Sequence, residues 1–208
     1  MRSEPTVFVV DDDPASRDSV AALVVSKGLV TQCYASAEQF LENFDRSRYG
    51  CLVLDMRMTG MSGLELQEEL LAQRIRIPVI IITGYGDVSA ATSAMRNGAV
   101  TFLQKPCSEE ELWESISTAL ERHRECQEVE ARCDDLQAKF ARLTPQEHEV
   151  MEELVAGTPN KVIAAKLEMG LRTVELRRAN IMKKLETRSL AEVVRLNVEM
   201  ERYSEVLV

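Results

Sequence analysis

The chain has 208 residues, 45% hydrophobic and 28% charged, with a formal net charge of -9; that length suits one large or two small domains, and that balance excludes disordered, collagen-like and low-complexity classes. Its apolar runs stop well short of the roughly 18 residues of a membrane span, and the acidic start MRSEPTVFVVDDD lacks the apolar segment of a secretory signal, so a cytoplasmic protein with no membrane partner is expected. The acidity does not exclude nucleic acid, because charge is placed unevenly: residues 1–125 carry 12 Lys+Arg against 19 Asp+Glu, whereas residues 158–190 carry eight against three.

In chain order, TVFVV (6–10), LVTQCY (29–34), CLVLD (51–55), PVIIIT (78–83) and VTFLQ (100–104) predict strands. Helix-length segments with apolar residues three and four apart lie between them. Ser36 with Gln39, Ser62 with Glu65 and Ser108 with Glu111 have the spacing of helix-start capping boxes. Uninterrupted apolar strands alternating with helices predict a doubly wound α/β domain, a five-stranded parallel sheet covered on both faces.

Such sheets place reactive groups just past the carboxyl ends of their strands. Asp11, Asp12 and Asp13 follow the first strand, Asp55 ends the third, Thr83 ends the fourth, and Lys105 with Pro106 follows the fifth. Crowded carboxylates raise one another's pKa, and a divalent cation removes that cost. Mg2+ suits one or two carboxylates plus phosphate oxygens. Asp55 could then attack a phosphoryl donor while Thr83 and Lys105 bond the transferred oxygens.

The strings VVDDDP, LVLDMRMTGMSG, IIITGYGD and FLQKP resemble the receiver domain of two-component response regulators over residues 1–125. The resemblance implies a flavodoxin-like fold with Asp55 as phosphoacceptor. It gives Asp11, Asp12, Asp55 and the main-chain carbonyl of Arg57 as Mg2+ ligands, Thr83 and Lys105 as phosphoryl contacts, and Thr83 and Phe102 as switch residues. Asp13 is left to cap the helix opened by Pro14. Thr59 departs from the pattern, which usually has Pro there. Tyr85 stands where the family controls water access, and is expected to shield the acyl phosphate. Asp55-Met56-Arg57-Met58-Thr59 also brings to mind the DxDxT motif of haloacid-dehalogenase-type phosphatases, but Arg57 occupies the place of their general acid. A turnover enzyme is therefore not expected, only self-phosphorylation and slow autodephosphorylation.

Five cysteines without a CxxC pair read as reduced thiols, and His123 and His148 as isolated surface residues. Leu112, Ile116, Ala119, His123, Cys126, Val129, Cys133, Leu136 and Phe140 form a seam of coiled-coil spacing. It predicts a helix over 109–138, with residues 126–140 linking two domains; a flexible tether and a helix packed on a neighbouring domain are the alternatives.

Beyond it, Thr144-Pro145-Gln146-Glu147 is a capping box with Pro at the first helical position. Gly157, Thr158-Pro159, Gly170 and Ser189 with Glu192 then divide residues 141–208 into four short helices of helix-turn-helix character. Val174, Ile181 and Leu185 would face the core, and Arg172, Glu175, Leu176, Ala179 and Lys183 the opposite side. LTPQEHEVMEELVAGTPNKVIAAKL and RTVELRRANIMKKL resemble the LuxR-type DNA-binding domain, and the whole chain resembles FixJ-type members of the FixJ/NarL response regulators. By that resemblance Thr173 to Leu185 belong to the recognition helix, and Glu175, Leu176 and Ala179 face bases. Asn160, Lys161, Arg177, Arg178, Lys183 and Lys184 contact phosphates. Gly170-Leu171 replaces the common Ser-Pro at the helix entry, and Arg177 a frequent His. The implied protein is a phosphorylation-switched transcription regulator. Its implied partners are a sensor histidine kinase, promoter DNA, a second copy of itself and RNA polymerase.

Overall fold

Residues 4–46, 48–84 and 88–206 are described in the computed structural model of the chain, which forms two units divided between Gln127 and Glu128. The first unit contains β1 (Thr6–Val10), α1 (Pro14–Ser26), β2 (Val30–Tyr34), α2 (Ala37–Asn43), β3 (Gly50–Asp55), α3 (Gly63–Ala72), β4 (Val79–Thr83), α4 (Val88–Arg96) and β5 (Thr101–Gln104), and the start of α5 (Glu109–Phe140). All strands are parallel, in the order β2-β1-β3-β4-β5. The order reverses between β1 and β3, which opens a crevice at their carboxyl ends.

Alternate residues of each central strand are buried in opposite directions. Phe8, Leu52, Leu54 and Ile81 pack with Ala37, Phe40, Leu66 and Leu70 of α2 and α3 on one face. Val7, Val9, Val53 and Ile80 pack with Val20, Val24, Ile116 and Ala119 of α1 and α5 on the other. Each such side chain contributes about 1.5–3 kcal/mol on full burial, which explains why the strands read as unbroken apolar runs.

Helix starts follow the side-chain chemistry. Asp13 caps α1, accepting from the Ala15 N–H at 3.2 Å with Pro14 in the first turn. Ser62 with Glu65 and Ser108 with Glu111 form reciprocal boxes. At α2 the Gln39 side chain accepts from Ala35 N rather than from the cap residue Ser36.

The second unit comprises the end of α5, then α6 (Pro145–Val155), α7 (Asn160–Lys166), α8 (Leu171–Lys184) and α9 (Leu190–Val206). Its core joins Leu136 and Phe140 of α5 to Val150, Leu154, Ile163, Val174, Ile181 and Leu185. Gly157, at φ +78, turns the chain out of α6. Pro159 and Gly170 start α7 and α8 without any side-chain capping bond, as the loss of Ser before α8 implies.

The long helix expected over 109–138 is observed as α5, and one expectation, of His123 as a surface residue, is corrected. His123 is buried, 9% exposed, with Nδ1 2.5 Å from the Gly50 carbonyl oxygen and its ring against Tyr49, because its place on the α5 seam faces the start of β3. The coiled-coil seam is divided: Leu112, Ile116 and Ala119 are buried in the first core and Leu136 and Phe140 in the second, while Cys126 and Val129 are exposed. All five cysteines are free thiols. Among the described residues no helix is long and apolar enough to cross a membrane.

Candidate functional site

At the crevice, β1 and β3 deliver Asp11 and Asp55, which are 4% and 7% exposed. Lys105, just past β5, donates from Nζ to Asp11 Oδ2 at 2.7 Å and to Asp55 Oδ1 at 2.6 Å. One ammonium thus offsets the mutual repulsion of two carboxylates. The remaining Asp55 oxygen, Oδ2, accepts from Arg57 N at 2.7 Å. Asp11 also accepts from Ser16 Oγ at 2.6 Å and Asp13 N at 3.0 Å, and the Arg17 guanidinium donates to its main-chain oxygen.

Burial raises the pKa of Asp55 above the ordinary carboxylate range, against the opposing pull of the Lys105 bond and charge. Burial would lower that of Lys105, but its bonds to Asp11 and Asp55 outweigh it and hold the ammonium above its usual value. Gly63 lets the start of α3 close on this point, since a Cβ there would overlap the Asp55 carbonyl oxygen.

Asp12 is held from another side: its Oδ2 accepts from both Thr59 N and Thr59 Oγ1, each at 2.8 Å, with the Lys105 charge near enough to act on it. Among the described residues no three His, Cys, Asp or Glu side chains close around one point as a metal cage. The donor set is nevertheless all oxygen, with two buried carboxylates meeting on one cation and the Arg57 main chain alongside. That chemistry fits Mg2+, which needs one or two carboxylates and keeps its waters.

Thr83 is fully buried at the end of β4, and its main-chain oxygen accepts from Lys105 N at 2.7 Å. Phe102 on β5 is partly buried against the core face that α3 and α4 cover. Tyr85 lies outside the described residues.

In the second unit α8 buries Val174 and Ile181, with Leu185 just beyond its end. Arg172, Thr173, Glu175, Leu176, Ala179 and Lys183 are exposed on the same helix, as is Lys161 on α7, while Asn160 and Arg178 are half-buried. Leu176 is 62% exposed, a large apolar side chain offered outward. Two basic residues are engaged within the unit. Lys184 Nζ donates to Glu147 Oε2 at 2.6 Å, and the Arg177 guanidinium donates to Gln146 Oε1. Sequence reasoning missed the Lys184 pairing, although Glu147 was already marked by its capping box.

The chain matches the family described as "Response regulator receiver domain" over residues 7–117. It matches "Bacterial regulatory proteins, luxR family" over residues 141–197. It is 40% identical over 196 residues to "Transcriptional regulatory protein FixJ" of Bradyrhizobium diazoefficiens, covering 94% of this chain and 96% of that one. "Nodulation protein W" of the same organism is 40% identical, over 92% of this chain and 84% of its own. Among solved structures, the response regulator StyR superposes with a TM-score of 0.90 at 42% identity, covering 95% of this chain and 100% of that one. Full-length FixJ from B. japonicum gives 0.59 at 38% identity, with 96% and 98% coverage.

Proposed function

The chain belongs to the response regulators, as a transcription factor of the FixJ/NarL type with a receiver and a LuxR-type DNA-binding domain, and on that premise we propose that phosphorylation of Asp55 is its switch. The observation that carries the proposal is the pairing of Asp55 and Asp11 on the single Lys105 ammonium at the sheet's reversal point.

The family implies a sensor kinase and DNA as partners. In the proposed reaction a carboxylate oxygen of Asp55 attacks the phosphorus of a phosphohistidine donor. An O–P bond forms, the N–P bond breaks, and the electron pair leaves with the imidazole. Lys105 keeps a cation beside the transferred oxygens, and the Thr83 hydroxyl donates to them. Asp11, Asp12, Asp55 and the Arg57 carbonyl would hold Mg2+, which when bound supplies positive charge that stabilises the phosphoryl transfer. The phosphoryl group carries about -1.5 to -2 charge where the carboxylate carried a single one, which shifts Thr83 and Phe102 and biases the surface around α4 and β5 toward a dimer.

Two output domains then meet two half-sites, and linkage multiplies a weak single-domain affinity. Glu175, Leu176 and Ala179 face base edges in this reading, on a recognition helix to which Thr173 also belongs. Asn160, Lys161, Arg172, Arg177, Arg178 and Lys183 hold phosphates. Lys184 can reach a phosphate only by sharing or leaving Glu147. RNA polymerase is a further partner and the cytoplasm the site of action. The chain turns over no other substrate.

Intact mass after incubation with acetyl phosphate and Mg2+ tests the switch. One phosphoryl gain on the wild type and none on Asp55→Asn is the expected outcome. No gain on a folded wild type, or an equal gain on the variant, would overturn it.

A further inference from the structure

The segment that follows the phosphoacceptor is gripped at alternate residues. Arg57 N donates to Asp55 Oδ2 at 2.7 Å, Thr59 N and Oγ1 to Asp12 Oδ2 at 2.8 Å each, and Met61 N to Glu38 Oε1 at 3.0 Å. The Thr59 bonds differ from the others in what they join. They cross 47 positions of sequence from the end of β3 to the end of β1, the two segments that supply every candidate cation ligand. Both bonds fall on one oxygen of Asp12, so Thr59 takes only half of that carboxylate. The same bonds hold the Asp12 carboxyl below the ordinary carboxylate range, against the smaller upward effect of burial. Proline has neither an N–H nor a hydroxyl and could make neither bond.

We propose that Thr59 is a positioning residue for divalent-cation binding: by orienting Asp12 and tying the Asp55–Arg57 segment to it, Thr59 brings the oxygen ligands of both segments together for one ion. Carboxylates that bind metal are themselves commonly oriented by such hydrogen bonds, and losing a partner costs about 10–100-fold in affinity. Thr59 is exposed, so its replacement removes the clamp without opening the core. The inference rests on the reading of this crevice as a Mg2+ site.

Titration calorimetry with MgCl2 on the full unphosphorylated chain tests it, with thermal melts confirming that each variant is folded. Thr59→Pro, which loses both donors, is expected to weaken Mg2+ binding by about tenfold, the lower end of that range because the bonds are exposed. Thr59→Val, which loses the hydroxyl alone, is expected to fall between, and Thr59→Ser to bind as the wild type does. Equal or tighter binding by Thr59→Pro, or a loss in Thr59→Ser as large as in Thr59→Pro, overturns the proposal. If proline distorts the loop, Thr59→Val decides, and an unchanged or tighter affinity there overturns it equally. A folded wild type with no Mg2+ binding overturns the cation site itself, and the Thr59 role with it.

Discussion

Asp55 is subject to opposed influences within a few ångströms. Burial makes its carboxyl hold a proton more tightly, and the Lys105 ammonium and Arg57 N–H only partly offset that. A carboxyl whose pKa is higher folded than unfolded costs stability as pH rises through the interval between the two values, and the cost is complete above it. Asp55→Asn is therefore expected to melt at a higher temperature than the wild type at about pH 7. The difference should shrink on acidification toward the ordinary carboxylate range, where Asp55 is itself protonated. Melts of both proteins across that range check this. A variant less stable than wild type at neutral pH would show that the ion pair with Lys105 outweighs the burial. The same tension suits a phosphoacceptor, whose charge is costly to keep and open to reaction.

Helix α6 is tied to α8 by one carboxylate. Glu147 accepts from Thr144 N at 2.8 Å, completing the cap of α6, and from Lys184 Nζ at 2.6 Å near the end of α8. Burial would raise its pKa, but the bonds from Lys184 and Thr144 outweigh it and hold it below the usual range. The stability it supplies is therefore present above the ordinary carboxylate value and lost as pH falls through the lowered one. Lys184 is about one-third exposed, so Lys184→Ala is expected to cost about 1 kcal/mol, less than a buried pair would. In a domain this small that is roughly 4–8 °C in Tm. Arg178→Ala should leave Tm nearly unchanged, weaken binding to a mixed-sequence duplex, and lower the salt slope by about 1. Melts and anisotropy titrations on both variants separate the two roles. A Tm loss in Arg178→Ala equal to that in Lys184→Ala would place Arg178 in the fold rather than on the DNA face.

Across the whole molecule, the second unit begins at Glu128, ahead of position 141, because the last turns of α5 belong to its core. Leu136 is fully buried and Phe140 nearly so. At about 1.5–3 kcal/mol each, these two side chains amount to much of the stability a small domain has. A fragment of residues 128–208 is expected to unfold cooperatively in urea. One of residues 141–208 should be largely unfolded or melt at far lower denaturant, as circular dichroism would report. Equal stability of the two fragments would mean that α5 only rests on a core complete without it.

The sheet, its five strands and the residues at their carboxyl ends were legible in the sequence because they rest on short-range patterns. Unbroken apolar runs, three-residue capping spacings and an acid or lysine directly after a run each lie within a few positions, and the order of elements then leaves little freedom for a parallel sheet. His123 was legible too, through its step on the α5 seam, had the seam been weighed above the residue type. What only the tertiary structure decided are pairings between distant positions: Asp12 with Thr59 across 47 residues, Glu147 with Lys184 across 37, and the seam's division between two cores. Such partners are chosen by three-dimensional proximity and by the need of a half-buried charge for a counter-charge or donor, and no local periodicity records which of several acids or lysines the fold will bring within 3 Å.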